Sequence, residues 1–225
     1  MKKWFFLLLF CNTIALAQPY QKYNHKQALS NENGKYSVNI AVMLKGVDNL
    51  YIHAKEYPLK FDNQQDFKNA YQDLQVLIQS LDYIESQKIN NNLSKKERFY
   101  FDLSHARLFL MGHNFDMPNM AEKADMHYQK LIQNNPNDGA LYAEYGGFLS
   151  NSMRLEQGEK YLQKAIQLGE KDTYFALGMN YFAQNKKQLA IEALEEYKKY
   201  YPQNPHTAKI IQAIKDDKIK RKIQK

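Results

Sequence analysis

Apolar and small residues recur from His105 onward with a period of 34 positions. Gly112 and Gly146 are 34 positions apart, and large apolar residues stand four and one positions before each glycine and three positions after it. A third copy follows around Gly178 at a spacing of 32, which is consistent with a shortened connecting loop. The apolar spacing within each copy predicts two amphipathic helices joined by a turn. The copies cover residues 105–138, 139–172 and 171–204.

The repeated positions follow from how two helices pack together. Apolar residues at positions 4, 7, 8 and 11 of a copy form a stripe on a first helix, and those at 20, 24 and 27 form a stripe on a second. Positions 8 and 20 are small, which lets the paired helices approach closely. Pro136 and Pro202, both at position 32, cannot continue the second helix and therefore end it.

This pattern resembles the tetratricopeptide repeat, which has Leu-Gly at 7 and 8, Tyr at 11, Ala at 20 and 27, and Pro at 32. Residues 174–202 match this pattern best. They depart from it at position 27, where Tyr197 replaces the alanine of the family, and Leu131 replaces it in the first copy. The resemblance implies a mainly α fold: a right-handed α-α superhelix of about three repeats in 94–204, with a capping helix and basic tail in 205–225. Generic amphipathic helical hairpins are the alternative.

The residues ahead of the repeats predict two long helices and a small N-terminal β-hairpin module. Residues 63–93 carry apolar residues at helical spacing, and Ser94 with Glu97 forms a capping box that starts a helix running from Lys95 through Gly112. Within 18–62, apolar residues alternate strictly from 36 to 44 and again from 50 to 54, around a turn at 45–49. This alternation predicts two strands, with a helical hairpin as the competing interpretation.

The first segment, 1–17, has the features of a secretory signal peptide. Lys2 and Lys3 precede an apolar run, and Ala15 and Ala17 form an A-x-A site, so we expect cleavage after Ala17 and a periplasmic or secreted protein. A membrane anchor and a lipoprotein signal ending at Cys11 are the alternatives. Cleavage would leave a formal charge of +5 instead of +7 and a chain without cysteine or tryptophan.

The sequence contains no catalytic, phosphate-binding or dinucleotide-binding motif with the required spacing. Its histidines are scattered, and His105, His113 and His127 could form a metal site only if the helical hairpin brought the third near the first two. We interpret them as surface or groove residues. The sequence therefore predicts no catalytic residues, no metal and no cofactor.

The resemblance also implies a binding site, because first-helix positions 2, 5, 9 and 12 line the inner groove in this family. The lysine that clamps a peptide carboxylate at position 5 in some members is missing here. The implied groove is apolar and aromatic and suits an apolar peptide or an amphipathic helix, unless the chain's own residues occupy it. The candidate partner-binding residues are Phe109, His113, Ala143, Gly147, Phe175, Met179 and Phe182.

These observations predict an exported scaffold or adaptor that binds a protein or peptide of the cell envelope. Export argues against nucleic acid as a partner. One alternative is an envelope enzyme, or enzyme accessory, that uses His53 and Glu56 of the N-terminal module. Another is a protein held at a membrane surface by the basic tail, Lys215–Lys225.

Overall fold

The computed structural model of the chain describes residues 19–32 and 35–216. The predicted signal peptide (1–17) and most of the predicted basic tail (217–225) lie outside the described residues. Within the described ranges the secondary structure is almost entirely helical, with two four-residue strands near the start. In chain order the elements are α1 His25–Ala28, β1 Leu29–Glu32, β2 Lys35–Val38, α2 Ile40–Ala54, α3 Gln64–Ser86, a short 3-10 helix Ile89–Asn92, α4 Lys95–Asn114, α5 Met120–Asn134, α6 Gly139–Asn151, α7 Leu155–Gln167, α8 Thr173–Ala183, α9 Lys187–Tyr200 and α10 Pro205–Lys215.

The chain divides into two compact units, and the division falls inside α5, between Leu131 and Ile132. The N-terminal unit contains the elements from α1 to α4 and most of α5. The C-terminal unit contains α6 to α10. The domain boundaries that the sequence predicts stay predictions.

The predicted N-terminal β-hairpin at 36–54 is wrong, because most of this segment is the helix α2. Asn39 caps that helix, since its side chain accepts a hydrogen bond from the backbone N–H of Val42 at 3.2 Å. The apolar residues of α2 recur at helical spacing over all its turns, whereas the alternation is local. A different and shorter pair of strands, β1 and β2, pairs antiparallel just before α2. The fully buried residues of α2 are Met43, Val47, Leu50 and Ala54.

The predicted capping box at the start of α4 is confirmed. The Ser94 hydroxyl accepts a hydrogen bond from the Glu97 backbone N–H at 3.3 Å, and the Glu97 carboxylate accepts one from the Ser94 N–H at 2.8 Å. These bonds satisfy two backbone donors that a helix start leaves unpaired. Helix α4 extends to Asn114, two residues beyond the predicted end.

The first described residues of the chain are fixed to α3 by one buried carboxylate. Asp73 accepts hydrogen bonds from the Tyr20 hydroxyl and from the Tyr23 backbone N–H, both at 2.7 Å. The Tyr23 ring lies against Gly46 of α2, where an added Cβ atom would come within 2.7 Å of it. The segment between Tyr20 and α1 is therefore positioned on α3 by Asp73 and on α2 by Gly46.

The small residues of the repeats lie where helices of one hairpin meet, as the sequence predicts. A Cβ atom on Gly146 or Gly178, at position 8, would come within 2.9 Å of Leu162 or 2.8 Å of Leu194, which stand at position 24 of the same copy. A Cβ on Gly158, at position 20, would lie 2.9 Å from the Gly146 carbonyl oxygen. Close backbone approach therefore explains the repeated small positions.

The turn between the two helices of each repeat contains, at the same position, a residue with a left-handed backbone conformation. Asn119, Met153 and Asn185 all stand at position 15, with φ of 61°, 66° and 66°. After the last two, the next backbone N–H returns to the first helix: Arg154 donates to the Leu149 carbonyl and Lys186 to the Tyr181 carbonyl, both at 2.9 Å. This bond is typical of a helix that ends in a left-handed residue.

The last helix, α10, covers the apolar side of the C-terminal unit. Asn204 caps it, and Ile210, Ile211 and Ile214 are buried in one hydrophobic cluster with Leu177 and Leu194. An apolar face on the last repeat requires such a cover.

Candidate functional site

The C-terminal unit carries four of the predicted partner-binding residues on two helices that contact each other, α6 and α8. Ala143 and Gly147 lie four residues apart on α6, and Phe175 and Met179 lie four apart on α8, so each pair shares one helix face. All four are half-buried. We call these four residues the α6–α8 surface.

Gly147 borders open space on this surface. A Cβ atom placed on it would meet no atom within 4 Å, so the space beside it is open. Phe175 and Met179 pack against the hydrophobic cluster with part of their side chains and leave the remainder accessible. The α6–α8 surface is thus apolar and open at Gly147.

The other predicted partner-binding residues have little accessible surface. Phe182, on α8, is 3% exposed and belongs to the hydrophobic cluster of the C-terminal unit. Phe109 and His113, on α4 in the N-terminal unit, are 3% and 5% exposed. Whether any of the seven residues contacts a partner stays a prediction.

A polar network beside the α6–α8 surface joins the second and third repeats. Asn180 is 2% exposed, and its amide donates to the Ser150 hydroxyl at 2.6 Å and to the Leu155 carbonyl at 3.0 Å. Gln184 donates to the Asn180 side-chain oxygen at 2.6 Å and to the Glu159 carboxylate at 2.8 Å. The network fixes α8 against α6 and α7. Sequence reasoning missed it, because nothing in the pattern pairs Asn180 with Ser150.

Glu159 also forms an ion pair at the edge of this network. Lys186 donates to its carboxylate at 2.9 Å. Burial alone would raise the Glu159 pKa, but the hydrogen bonds from Lys186 and Gln184 outweigh that effect and hold the pKa below its usual value. The carboxylate is therefore charged at neutral pH.

The two residues considered for an enzyme role in the N-terminal module have structural partners. His53 is 4% exposed, its Nδ1 lies 3.0 Å from the Lys60 carbonyl oxygen, and its ring stacks on Phe61. Glu56 pairs with Lys60 at 2.6 Å on the surface. These contacts hold the chain as it leaves α2.

Sequence reasoning also missed two surface cavities lined by aromatic residues. One, of about 480 Å³, lies in the N-terminal unit. The other, of about 500 Å³, lies where α9 meets α10. Adjacent aromatic and proline residues line both, including Tyr57, Pro58, Phe61, Phe67 and Phe115 in the first and Tyr197, Tyr200, Tyr201, Pro202 and Pro205 in the second.

The histidines are not surface or groove residues as a group. His105 is 1% exposed and His113 5%, and the hairpin of α4 and α5 brings His127 beside His105, with ring centroids 5.2 Å apart. Among residues 19–32 and 35–216, no three His, Cys, Asp or Glu side chains are grouped so that they could hold a metal ion. In the same ranges no helix has both the length and the apolar character needed to cross a bilayer.

Comparison with known proteins identifies the third copy. A family profile described as "Tetratricopeptide repeat" matches residues 172–204, which comprise α8, α9 and the loop that follows. No curated protein matches the chain. Repeats of this kind suggest a scaffold for protein–protein interaction, they typically bind proteins or peptides, and proteins built from them generally have no enzymatic activity. The match shows that the chain contains a tetratricopeptide repeat at residues 172–204.

Proposed function

We propose that this protein is an exported scaffold that holds an apolar peptide or an amphipathic helix of a cell-envelope protein on its α6–α8 surface. The right-handed superhelix of about three repeats that the resemblance implies is part of this proposal. The observation that carries it is the open space at Gly147 on α6, a helix that contacts α8, where Phe175 and Met179 are partly accessible.

The chemistry of the α6–α8 surface favours an apolar ligand. The side chains of Ala143, Phe175 and Met179 carry no charge and no strong hydrogen-bonding group, so a partner would gain mainly from burial of its own apolar side chains. A ligand side chain could occupy the open space at Gly147. Helices that bind in this way present apolar residues three or four positions apart.

Export is supported by the basic start, the apolar run and the A-x-A site of residues 1–17. The mature protein purified from its native host would begin at Gln18 and would lack Trp4, the only tryptophan. Mass spectrometry of the N-terminus tests this directly. Tryptophan emission from the purified native protein would contradict cleavage.

The binding proposal is tested by filling the open space at Gly147. In Gly147→Gln, the new side chain points into open space and glutamine is a better helix former than glycine, so the fold is expected to be retained. The wild-type mature protein is used to capture partners from envelope extract, and the variant is compared with it. Loss of a captured protein with Gly147→Gln, at unchanged circular dichroism, supports the proposal.

Lys160→Gln on α7 is the matched control, because it places the same side chain at an exposed position outside the α6–α8 surface. The captured protein should be retained by this variant. Equal capture by all three proteins would refute binding at Gly147. Phe109→Ala is a poor test of binding, because Phe109 is buried and its truncation costs about 3–5 kcal/mol of stability.

A further inference from the structure

Two histidine rings of the N-terminal unit lie together in an aromatic cluster between α4 and α5. The rings of His105 and His127 have centroids 5.2 Å apart and planes inclined by 34°. Phe109 lies 5.9 Å from His105 and 5.0 Å from His127, and the Phe101 ring stands edge-on to His105 at 5.0 Å. His105 is 1% exposed, whereas His127 is half-buried.

The surroundings of His105 suit a neutral ring. Among the described residues neither of its ring nitrogens has a hydrogen-bond partner. The nearest carboxylate oxygen, Oδ1 of Asp82, lies 3.4 Å from Nε2, and that side chain is 49% exposed. A partner so well solvated compensates only part of the free energy needed to bury a charged imidazole.

Some of the charged groups around the pair favour protonation of the rings, and others oppose it. Carboxylates that favour protonation come from α3 and α4, and a lysine that opposes it comes from α5. Burial lowers the pKa of His105 more than the nearby carboxylates raise it, and burial together with His105 lowers the pKa of His127. Both rings are therefore neutral near pH 7. The groups are Asp82 and Glu85 on α3, Asp102 on α4 and Lys130 on α5.

We propose that the His105–His127 pair is an acid-sensitive latch, in which proton uptake in mildly acidic solution loosens α5 from α4. A protonated ring needs hydrogen-bonding partners for both nitrogens, and the phenylalanine rings supply none. Asp82, 3.4 Å from His105 Nε2, is placed to accept from only one of them. Movement of α5 is the shortest route to solvent, because His127 is the more exposed ring. Two imidazolium rings at 5.2 Å would also repel each other. Loosening α5 uncovers Phe109, which the closed hairpin buries.

Hydrogen exchange of the full mature chain, followed by mass spectrometry at pH 7.5 and pH 5, tests the latch. After correction for the intrinsic exchange rate, the opening constant of amides in α5 is expected to rise once the pH falls below about 6.5, by about tenfold per pH unit for each proton taken up on opening. Amides in α9 serve as the internal reference. Equal changes in α5 and α9 would overturn the proposal.

Three variants separate the pair from the other histidines. His127→Phe and His105→Phe keep an aromatic ring in the cluster and remove the titrating group, so the pH response of α5 should fall at least severalfold. His206→Phe changes an exposed histidine of α10 and should leave the response unchanged. A full response in His127→Phe would contradict the latch.

A titration of the unmodified protein keeps the proposal testable if His105→Phe does not fold. The imidazole C2–H signals are followed by NMR, and the signal that disappears in His127→Phe is assigned to that residue. We expect His127 to titrate below pH 6.5 and its midpoint to move upward if His105 is replaced. Titration of His127 at or above pH 6.5 in the wild-type protein would overturn the proposal.

Discussion

The backbone nitrogen of Leu162 lies 2.9 Å from the point where a Cβ atom on Gly146 would stand. On the next residue, Gly147, a Cβ atom would meet nothing within 4 Å. Two adjacent glycines of one helix therefore have different roles. Gly146 allows α7 to approach α6, whereas Gly147 faces open space.

This contrast predicts opposite effects of the same substitution. Gly146→Ala forces a methyl group against the backbone of α7, and we expect a net loss of about 1–3 kcal/mol in the free energy of unfolding. In Gly147→Ala the added methyl group meets no atom, and alanine is more favourable than glycine within a helix. We therefore expect the free energy of unfolding to increase by about 0.5–1 kcal/mol. Urea denaturation of both variants measures the difference. Two losses of similar size would show that Gly147 is not open.

Met153 is expected to be a strained position. It has φ of 66°, a conformation that costs an ordinary side chain about 1–2 kcal/mol but that glycine adopts freely. We therefore predict that Met153→Gly raises the free energy of unfolding by about 0.5–1 kcal/mol, despite the greater flexibility of glycine in the unfolded chain. Thermal unfolding checks this. Lys160→Gly, at an ordinary helical position on α7, should instead lower stability by about 1 kcal/mol.

The sequence predicted the repeats well because their spacing follows from close helix contacts. Small residues at positions 8 and 20 are required wherever two backbones approach, so Gly146 and Gly158 stand out as a pattern in the sequence itself. The same holds for the capping box at Ser94, since its two bonds are local in the chain. Local geometry and regular packing leave a signal in the order of residues.

The failures concern features that short windows of sequence do not encode. The alternation that begins in the strand β2 continues by coincidence into the first residues of α2, and only the spacing from Met43 to Ala54 shows the helix. The burial of Phe109 depends on α5 folding over α4, and the contact of Asn180 with Ser150 joins residues 30 positions apart. No periodic pattern reports such contacts between side chains.

We predict that Asp73 holds the first described residues in place against the helices. In Asp73→Ala, the Tyr20 hydroxyl and the Tyr23 backbone N–H lose their common acceptor in a buried site. Leaving buried donors unpaired costs about 1–3 kcal/mol each, so we expect residues 19–28 to detach before the helices unfold. Limited proteolysis should cut there at least severalfold faster than in the wild-type protein.

Lys68→Ala serves as the control for this experiment, because Lys68 is an exposed residue on the same helix, α3. Its cleavage pattern should equal that of the wild-type protein. Tyr20→Phe removes only one of the two donors and should give an intermediate rate. Cleavage of Asp73→Ala at the wild-type rate would show that other contacts hold the segment.

The ion pair of Glu159 with Lys186 predicts a dependence of stability on pH. The Glu159 pKa is lower in the folded protein than in the unfolded chain, so the carboxylate stabilises the fold above about pH 5. That contribution is lost as the pH falls through the lowered folded pKa. Glu159→Gln should therefore be less stable than the wild-type protein at pH 7, by up to about 1 kcal/mol for a partly exposed pair.

The difference between wild-type and Glu159→Gln should shrink as the pH falls toward 3, because the folded wild-type protein then carries a neutral carboxyl as well. Urea denaturation at pH 7, 5 and 3 measures it. Lys186→Met provides the matched variant: it removes the other partner, and at pH 7 the double variant should lose less stability than the sum of the single losses. Additive losses, or a difference that stays constant down to pH 3, would mean that the charge of Glu159 does not stabilise the junction of the second and third repeats.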